Sequence, residues 1–182
     1  MLYEFNTPAE YEQFINQYTT GDFSTLDMES FIAEVKKLKP GDVYLEVGVK
    51  HGKSLLTATL AAREGVELVG VDIADNEERQ NVFRQLGLTE YVTFIHGYSH
   101  RVARLIKKPI SLLFLDGDHS YSGIKLDIDS WLPLVKKGGV ILFHDCDETS
   151  PGVVDAVNET FPGRVELFKT PVKNTSMAKV VV

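Results

Sequence analysis

From residue 42 onward, short apolar runs rich in β-branched and aromatic residues alternate with longer segments of helical period. No other feature restricts the chain as much, because repeated strand–helix–strand units build a parallel sheet with helices packed on its faces. The expected strands are 43–47, 66–71, 91–95, 110–115, 139–143, 164–168 and 177–182. Most are continuous apolar runs, as strands buried on both faces should be. The expected helices between them cover about 53–63, 77–86, 99–107, 121–136 and 151–161. In the fourth of these, Ile124, Ile128, Trp131 and Val135 form one apolar stripe, which makes Trp131 a core residue, and Pro133 should kink or shorten the last turn. The link from Thr170 to Ser176 is too short for a helical crossover, so the last two strands should pair antiparallel. The expected fold is α/β: a seven-stranded, mostly parallel sheet with the last strand antiparallel and helices on both faces. Two further helices precede it, about 8–18 with Thr7 as cap and Pro8 at the first position, and about 27–38 behind Asp27, stopped by Pro40-Gly41. Lying outside the repeating pattern, they are candidates to cover a site or a subunit interface.

A chain of 182 residues is one ordinary domain's worth, here a helical segment over 1–41 and an α/β core over 42–182. Its 26 acidic and 19 basic side chains leave a net charge of −7. Its basic clusters are no longer than pairs such as Lys36-Lys37 and Lys107-Lys108, so it lacks the positive stripe that nucleic-acid binding requires. The lone cysteine, Cys146, supplies neither an internal disulfide nor a cysteine-based zinc site. The acidic start MLYEFNTPAEYEQF is unlike a signal peptide, and no apolar run approaches a membrane span. A cytoplasmic protein with no membrane partner is expected.

In open α/β sheets ligands bind beyond the carboxyl ends of the strands. The first strand here runs into EVGVKHGKS at 46–54, an acid followed by a glycine loop that enters a helix. Gly48 and Gly52 are one residue too close for a phosphate loop, so Gly52-Lys53-Ser54 is a decoy for a nucleoside triphosphate. Lys50 occupies the middle-glycine position of a dinucleotide fingerprint, which weakens a nicotinamide or flavin reading without removing it. S-adenosylmethionine has no phosphate; it needs a small loop beneath its methionine portion and carboxylates for its amino group and ribose. Glu46 and Asp72, the latter ending the second strand in VGVDI, supply the acids.

EVGVKHGKS, VDI, HGYS at 96–99, LLFLDGDHSY at 112–121 and LVKKGGVILFHD at 134–145 resemble, in order and spacing, the motifs of class I S-adenosylmethionine-dependent methyltransferases. The resemblance covers about residues 42–145 and is closest to the family-24 and macrocin-type O-methyltransferases, with catechol-type enzymes more distant. It implies a Rossmann-like sheet and S-adenosylmethionine as cofactor. It further implies that Glu46, Gly48, Gly52 and Ser54 surround the methionine end, Asp72 holds the ribose, Ile73 packs on adenine, Tyr98 and Ser99 border the adenine ring, and Asp116 lies beside the reacting centre. For Ile73 and Tyr98 plain core packing is the competing reading.

The segments DGDH at 116–119 and HDCD at 144–147 follow strands expected to be adjacent, so five acids including Glu148 and two histidines should share one rim. Such carboxylates repel unless a cation or a proton separates them. A divalent metal, magnesium or manganese, would do so, and metal-dependent relatives place its ligands at positions that map to Asp116, His144 and Asp145. His144 stands where those relatives carry an oxygen ligand, which favours a softer ion or no metal. His119 resembles the general base of an Asp-x-x-His motif, able to deprotonate an acceptor hydroxyl. Asp118 and Asp147 have the alternative role of capping turns, and Cys146 that of a buried hydrophobe. The expected activity is O-methylation of a small-molecule hydroxyl. The alternatives are metal-dependent hydrolysis or hydroxylation on the same scaffold, and a non-catalytic ligand-binding protein. Because the core leaves no room for an inserted lid, recognition of the acceptor should fall to short loops, the front helices or a second subunit, which makes a homodimer an expectation.

Overall fold

The computed structural model of the chain describes residues 3–21, 23–169 and 174–182. Helices α1 (Pro8–Ile15) and α2 (Thr25–Val35) come first. The alternating part then runs β1 (Val43–Val47), α3 (Lys53–Ala61), β2 (Glu67–Asp72), α4 (Glu77–Gln85), β3 (Val92–His96), α5 (Ser99–Val102), β4 (Ile110–Leu115), α6 (Tyr121–Trp131), β5 (Val135–Phe143), α7 (Pro151–Thr160), β6 (Glu166–Lys169) and β7 (Asn174–Val181). The sheet has seven strands in the order β3-β2-β1-β4-β5-β7-β6. β1 to β5 are parallel, and β7 runs antiparallel to both β5 and β6. The expected mixed sheet with a reversed last strand is therefore present. Of the connecting link, residues 170–173 lie outside the described residues.

Each strand divides its side chains between two cores, since successive residues point to opposite faces. Tyr44, Leu68, Leu112, Phe114 and Leu142 pack with α1, α2, α3 and α4 on one face. Leu45, Val69, Leu113, Ile141 and Val180 pack with α6 and α7 on the other. All five residues of β1 are buried, which is why its run carries no polar alternation. No helix among the described residues is long and apolar enough to cross a membrane.

Several expected boundaries move, for local reasons. α6 stops at Trp131 and residues 132–134 form a 3₁₀ turn, because Pro133 lacks the N–H and crowds the preceding turn. β5 accordingly starts at Val135, where Val135 pairs with Ile110, rather than at 139. Its exposed Lys136-Lys137-Gly138 stretch hid it from a reading based on apolar runs. α2 begins two residues before Asp27: Ser24 is the cap, its Oγ accepting from the Asp27 amide at 3.2 Å and donating to Asp27 Oδ2 at 2.5 Å. Asp27 thus sits inside the first turn, buried. The Thr7 cap and Pro8 start of α1 are as expected, although this helix ends at Ile15. α5 is a single turn followed by a 3₁₀ turn over 103–105, shorter than the expected 99–107.

Candidate active site

The sheet order reverses between β1 and β4, and the loops leaving these two parallel strands meet there. Gly48 adopts φ +88°, and a Cβ on it would lie 2.1 Å from the backbone oxygen of Asp116, so only glycine allows this approach. The amides of Gly48, Asp116 and His144 each donate to the strand-end residue beside them, Val71, Val47 and Leu115. The ladder is thereby extended past the strands and fixes the site's floor.

On the β2 side of this junction is a cavity of about 650 Å³ lined by Gly48, Lys50, Asp72, Ile73, Tyr98, Ser99 and Asp116, with Leu126 and Asp127 from α6. Asp72 is held from three sides. Its Oδ2 accepts from the Lys50 amide at 2.6 Å, its Oδ1 accepts from the Ala74 amide at 2.7 Å, and the guanidinium of Arg79 lies 3.5 Å from Oδ2. Arg79 also donates to the Lys50 and Ala74 carbonyls, joining the loops after β1 and β2. Gly52 (φ +86°) makes room for this clasp, for a Cβ there would meet Arg79 at 3.0 Å. Ile73 and Tyr98 are 59% and 52% exposed, so neither is core, and both present apolar surface at the mouth of the cavity. Ser99 accepts a hydrogen bond from the Trp131 indole at 2.7 Å, which buries that ring completely.

Glu46 is placed differently from its expected role. It is fully buried beneath the loop and lines neither cavity. Ser54 Oγ donates to one of its carboxylate oxygens at 2.6 Å and Tyr44 OH to the other at 2.5 Å, so it supports the loop from below. Burial pushes its carboxyl up to about 8 against those two hydrogen bonds. Gly52 likewise serves the backbone and does not face either cavity.

A second cavity, about 330 Å³, opens on the β4–β5 side and is lined by Phe23, Gly48, Lys53, Ser54, Asp116, His119, His144 and Asp145. The register pairing Leu115 with Phe143 sets Asp116 beside His144. His119 Nε2 lies 3.5 Å from Asp116 Oδ1 and 3.4 Å from Asp145 Oδ2. Asp116 raises its pKa above the usual imidazole value, outweighing partial burial. His144 is buried, with Nδ1 at 3.2 Å from Asp116 Oδ1 and 3.4 Å from Asp145 Oδ2. Burial alone would favour its neutral ring, but Asp116, Asp145 and Asp27 together push the imidazole up to about 12. Two carboxylates so close call for a positive charge at this point, and a proton or a metal ion satisfies the same demand. Asp116 in turn is held below the usual carboxylate range: burial opposes this, but both histidines override it. Of the five acids expected at this rim only Asp116 and Asp145 converge. Asp118 and Asp147 turn back to cap their own loops, accepting from the amides of Ser120 and Thr149 at 2.9 Å each. Cys146 is a buried thiol, pushed up to about 11 by burial.

Residues 45–146 match the family described as methyltransferase domain. The chain belongs to this family. Among the relatives of this methyltransferase domain, an uncharacterised protein of Acanthamoeba polyphaga mimivirus is 32% identical over 128 residues, covering 64% of this chain and 58% of the relative. The chain therefore spans little more than half the length of that curated relative. Among solved structures, an O-methyltransferase from Bacillus cereus in complex with SAH superposes with a TM-score of 0.74 at 15% identity, over 100% of this chain and 93% of that one. The O-methyltransferase TomG from Streptomyces achromogenes, involved in tomaymycin synthesis and bound to SAM, gives 0.73 at 15% identity over 99% and 91%. These likenesses show that the methyltransferase domain has the class I, Rossmann-like fold.

Reading the motifs alone missed Arg79, Asp27 and Ser176. Arg79 lies in a polar helix with no motif of its own. Asp27 and Ser176 lie outside the residues matched by the family yet reach His144: Ser176 Oγ is 3.4 Å and Asp27 Oδ2 3.9 Å from its Nε2. An acid at a helix start is visible in sequence, but nothing in the sequence pairs it with a histidine on β5's far end.

Proposed function

We propose that this methyltransferase domain transfers a methyl group from S-adenosylmethionine to a hydroxyl of a small-molecule acceptor. The observation that carries this reading is that the two cavities share Gly48, Lys50, Asp116 and Gly117 and so meet at one point of the sheet edge. The cofactor fits the larger cavity: Asp72 keeps lone pairs free for two ribose hydroxyls after its two backbone hydrogen bonds, and Ile73 and Tyr98 offer apolar faces to a purine. Gly48 lets the Asp116–Gly117 backbone close against the loop after β1, and both segments line the junction where the two cavities meet. When bound, S-adenosylmethionine supplies a methyl group on a sulfonium centre.

The smaller cavity then receives the acceptor. His119 faces it half-exposed and takes the hydroxyl proton, while Asp116 and Asp145 orient the ring and stabilise the cation it becomes. Phe23 and the loop glycines narrow the smaller cavity around His119, and confining the acceptor there beside the bound cofactor would supply much of the rate gain. A divalent metal also fits here, because the buried Nδ1 of His144 has no hydrogen-bond partner and faces two carboxylates. Asp116, His144 and Asp145 would hold such an ion, which would lower the pKa of the acceptor hydroxyl. The O-methyltransferase neighbours support the hydroxyl as acceptor and a small molecule as substrate. A homodimer would supply the acceptor cover that the short loops leave open.

Calorimetry of the full chain with S-adenosylhomocysteine tests the cofactor site. Binding in the micromolar range is expected, weakened at least about tenfold by Asp72→Asn or Tyr98→Ala with folding unchanged. No binding at millimolar ligand would end this reading.

A further inference from the structure

His144 is 5% exposed and its two ring nitrogens face different surroundings. Nδ1 points to the cleft between Asp116 and Asp145 and makes no hydrogen bond. Nε2 points away from the cleft, to Ser176 Oγ at 3.4 Å, and that hydroxyl donates to Asp27 Oδ1 at 3.2 Å. Asp27 is itself fixed by the Ser24 hydroxyl at 2.5 Å, and Ser176 is tied to the loop after β5 by a hydrogen bond from the Cys146 amide to its carbonyl at 2.7 Å. Phe23 and Phe114 wall the ring at 5.6 and 6.0 Å between centroids. Asp145 is held in the left-handed region, φ +50°, a conformation that costs a non-glycine residue energy and that sets its carboxylate beside Nδ1.

When a metal ion takes the place of the Nδ1 proton, the proton left on Nε2 is shared along the Ser176–Asp27 relay and Nδ1 turns its lone pair to the cleft. An outer carboxylate that fixes the tautomer of a ligating histidine is a recurrent device of metal sites. A buried nitrogen beside two carboxylates also departs from the all-oxygen shell that magnesium requires and suits the ions from manganese to zinc. The ligand atoms of Asp116, His144 and Asp145 lie within 4.8 Å of one another. We infer that Asp27 and Ser176 are positioning residues that aim His144 Nδ1 into this cleft, so that the site takes a divalent ion of the manganese-to-zinc series in preference to magnesium. This inference deepens the acceptor-site reading and rests on it for its role in catalysis, but the metal preference is measurable without turnover.

The test uses the full chain freed of metal with a chelator, titrated separately with Mn²⁺, Zn²⁺ and Mg²⁺ by calorimetry, with Co²⁺ added as a visible-spectrum probe. The wild-type chain is expected to bind one Mn²⁺ or Zn²⁺ at least about tenfold more tightly than Mg²⁺. Asp27→Asn and Ser176→Ala should each weaken Mn²⁺ binding by about 10- to 100-fold while altering Mg²⁺ binding little. His144→Asp, which puts an oxygen ligand in place of the nitrogen, should abolish or reverse the preference and change the Co²⁺ spectrum. Circular dichroism checks that each variant folds, and Ser176→Ala, the milder change, carries the test if Asp27→Asn does not fold. Equal affinity for Mn²⁺ and Mg²⁺, or no binding of either at millimolar concentration, overturns the proposal. So does unchanged Mn²⁺ affinity in the relay variants. S-adenosylhomocysteine binding in the same samples separates the two readings: metal preference without nucleoside binding removes only the methyl-transfer reading, and the converse removes only this one.

Discussion

Glu46 shows how a residue's role turns on which way its strand faces. At the end of β1, followed by a glycine loop, it resembles a cofactor ligand, yet its side chain enters the core and both its oxygens are taken up by Ser54 and Tyr44. Its carboxyl sits at about 8 instead of 4.5. Between those pH values the unfolded chain releases a proton that the folded chain retains, so ionisation favours unfolding. The contribution is greatest below about pH 4.5 and is lost as pH rises to about 8. Glu46→Gln should remove this dependence. Urea midpoints measured at pH 5 and pH 8 should fall more in the parent than in the variant, and parallel changes in the two proteins would refute the assignment. The same scale explains why Ile73 and Tyr98 were legible only as alternatives: apolar residues next to strand ends read equally well as core or as ligand platform, and only exposure at a cavity mouth separates the two.

At the level of elements, α6 is set by Trp131 at its end, fully buried with its indole donating to Ser99 at the start of α5. This bond links the core beneath the larger cavity to the residue at its rim. Trp131→Phe keeps most of the apolar contact and loses the donor, so it should cost about 1–2 kcal/mol, read from chemical denaturation. Nucleoside affinity should fall as well, since Ser99 loses the bond that orients it; an unchanged affinity would show that Ser99 needs no such support. The stripe through Ile124, Ile128 and Trp131 was visible as a periodicity because it is local. The start of β5 was not, because Val135 joins the sheet only through Ile110, and Lys136 to Gly139 form an irregular stretch before regular pairing with β4 resumes at Val140.

For the molecule as a whole, the front helices are part of the core and of the site. Tyr11, Ile15, Met28, Phe31, Ile32 and Val35 pack into the layer that covers one face of the sheet, and Lys179 of β7 meets Glu34 of α2 at 2.8 Å. A chain starting at residue 39 would uncover that face. It is expected to aggregate or to lose its cooperative thermal transition, as followed by size-exclusion chromatography and circular dichroism, and a monomeric, cooperatively melting product would contradict this. The front segment also delivers Phe23 to the second cavity and sets Asp27 behind His144, so it borders the site while packing against the sheet.

Taken alone, the sequence determined the strand–helix alternation, the reversed last strand, the glycine loop at the first strand end and the acids and histidines that follow the fourth and fifth. All of these are written in local patterns of period, turn residue and spacing. Tertiary structure decided which of those acids converge, that Glu46 faces inward, that Arg79 clasps two loops, and that Asp27 and Ser176 stand behind His144. Those facts depend on strand order and register, which bring together groups from 29 positions apart at the Arg79 clasp to 149 at Asp27 and Ser176, and no local pattern encodes such distances.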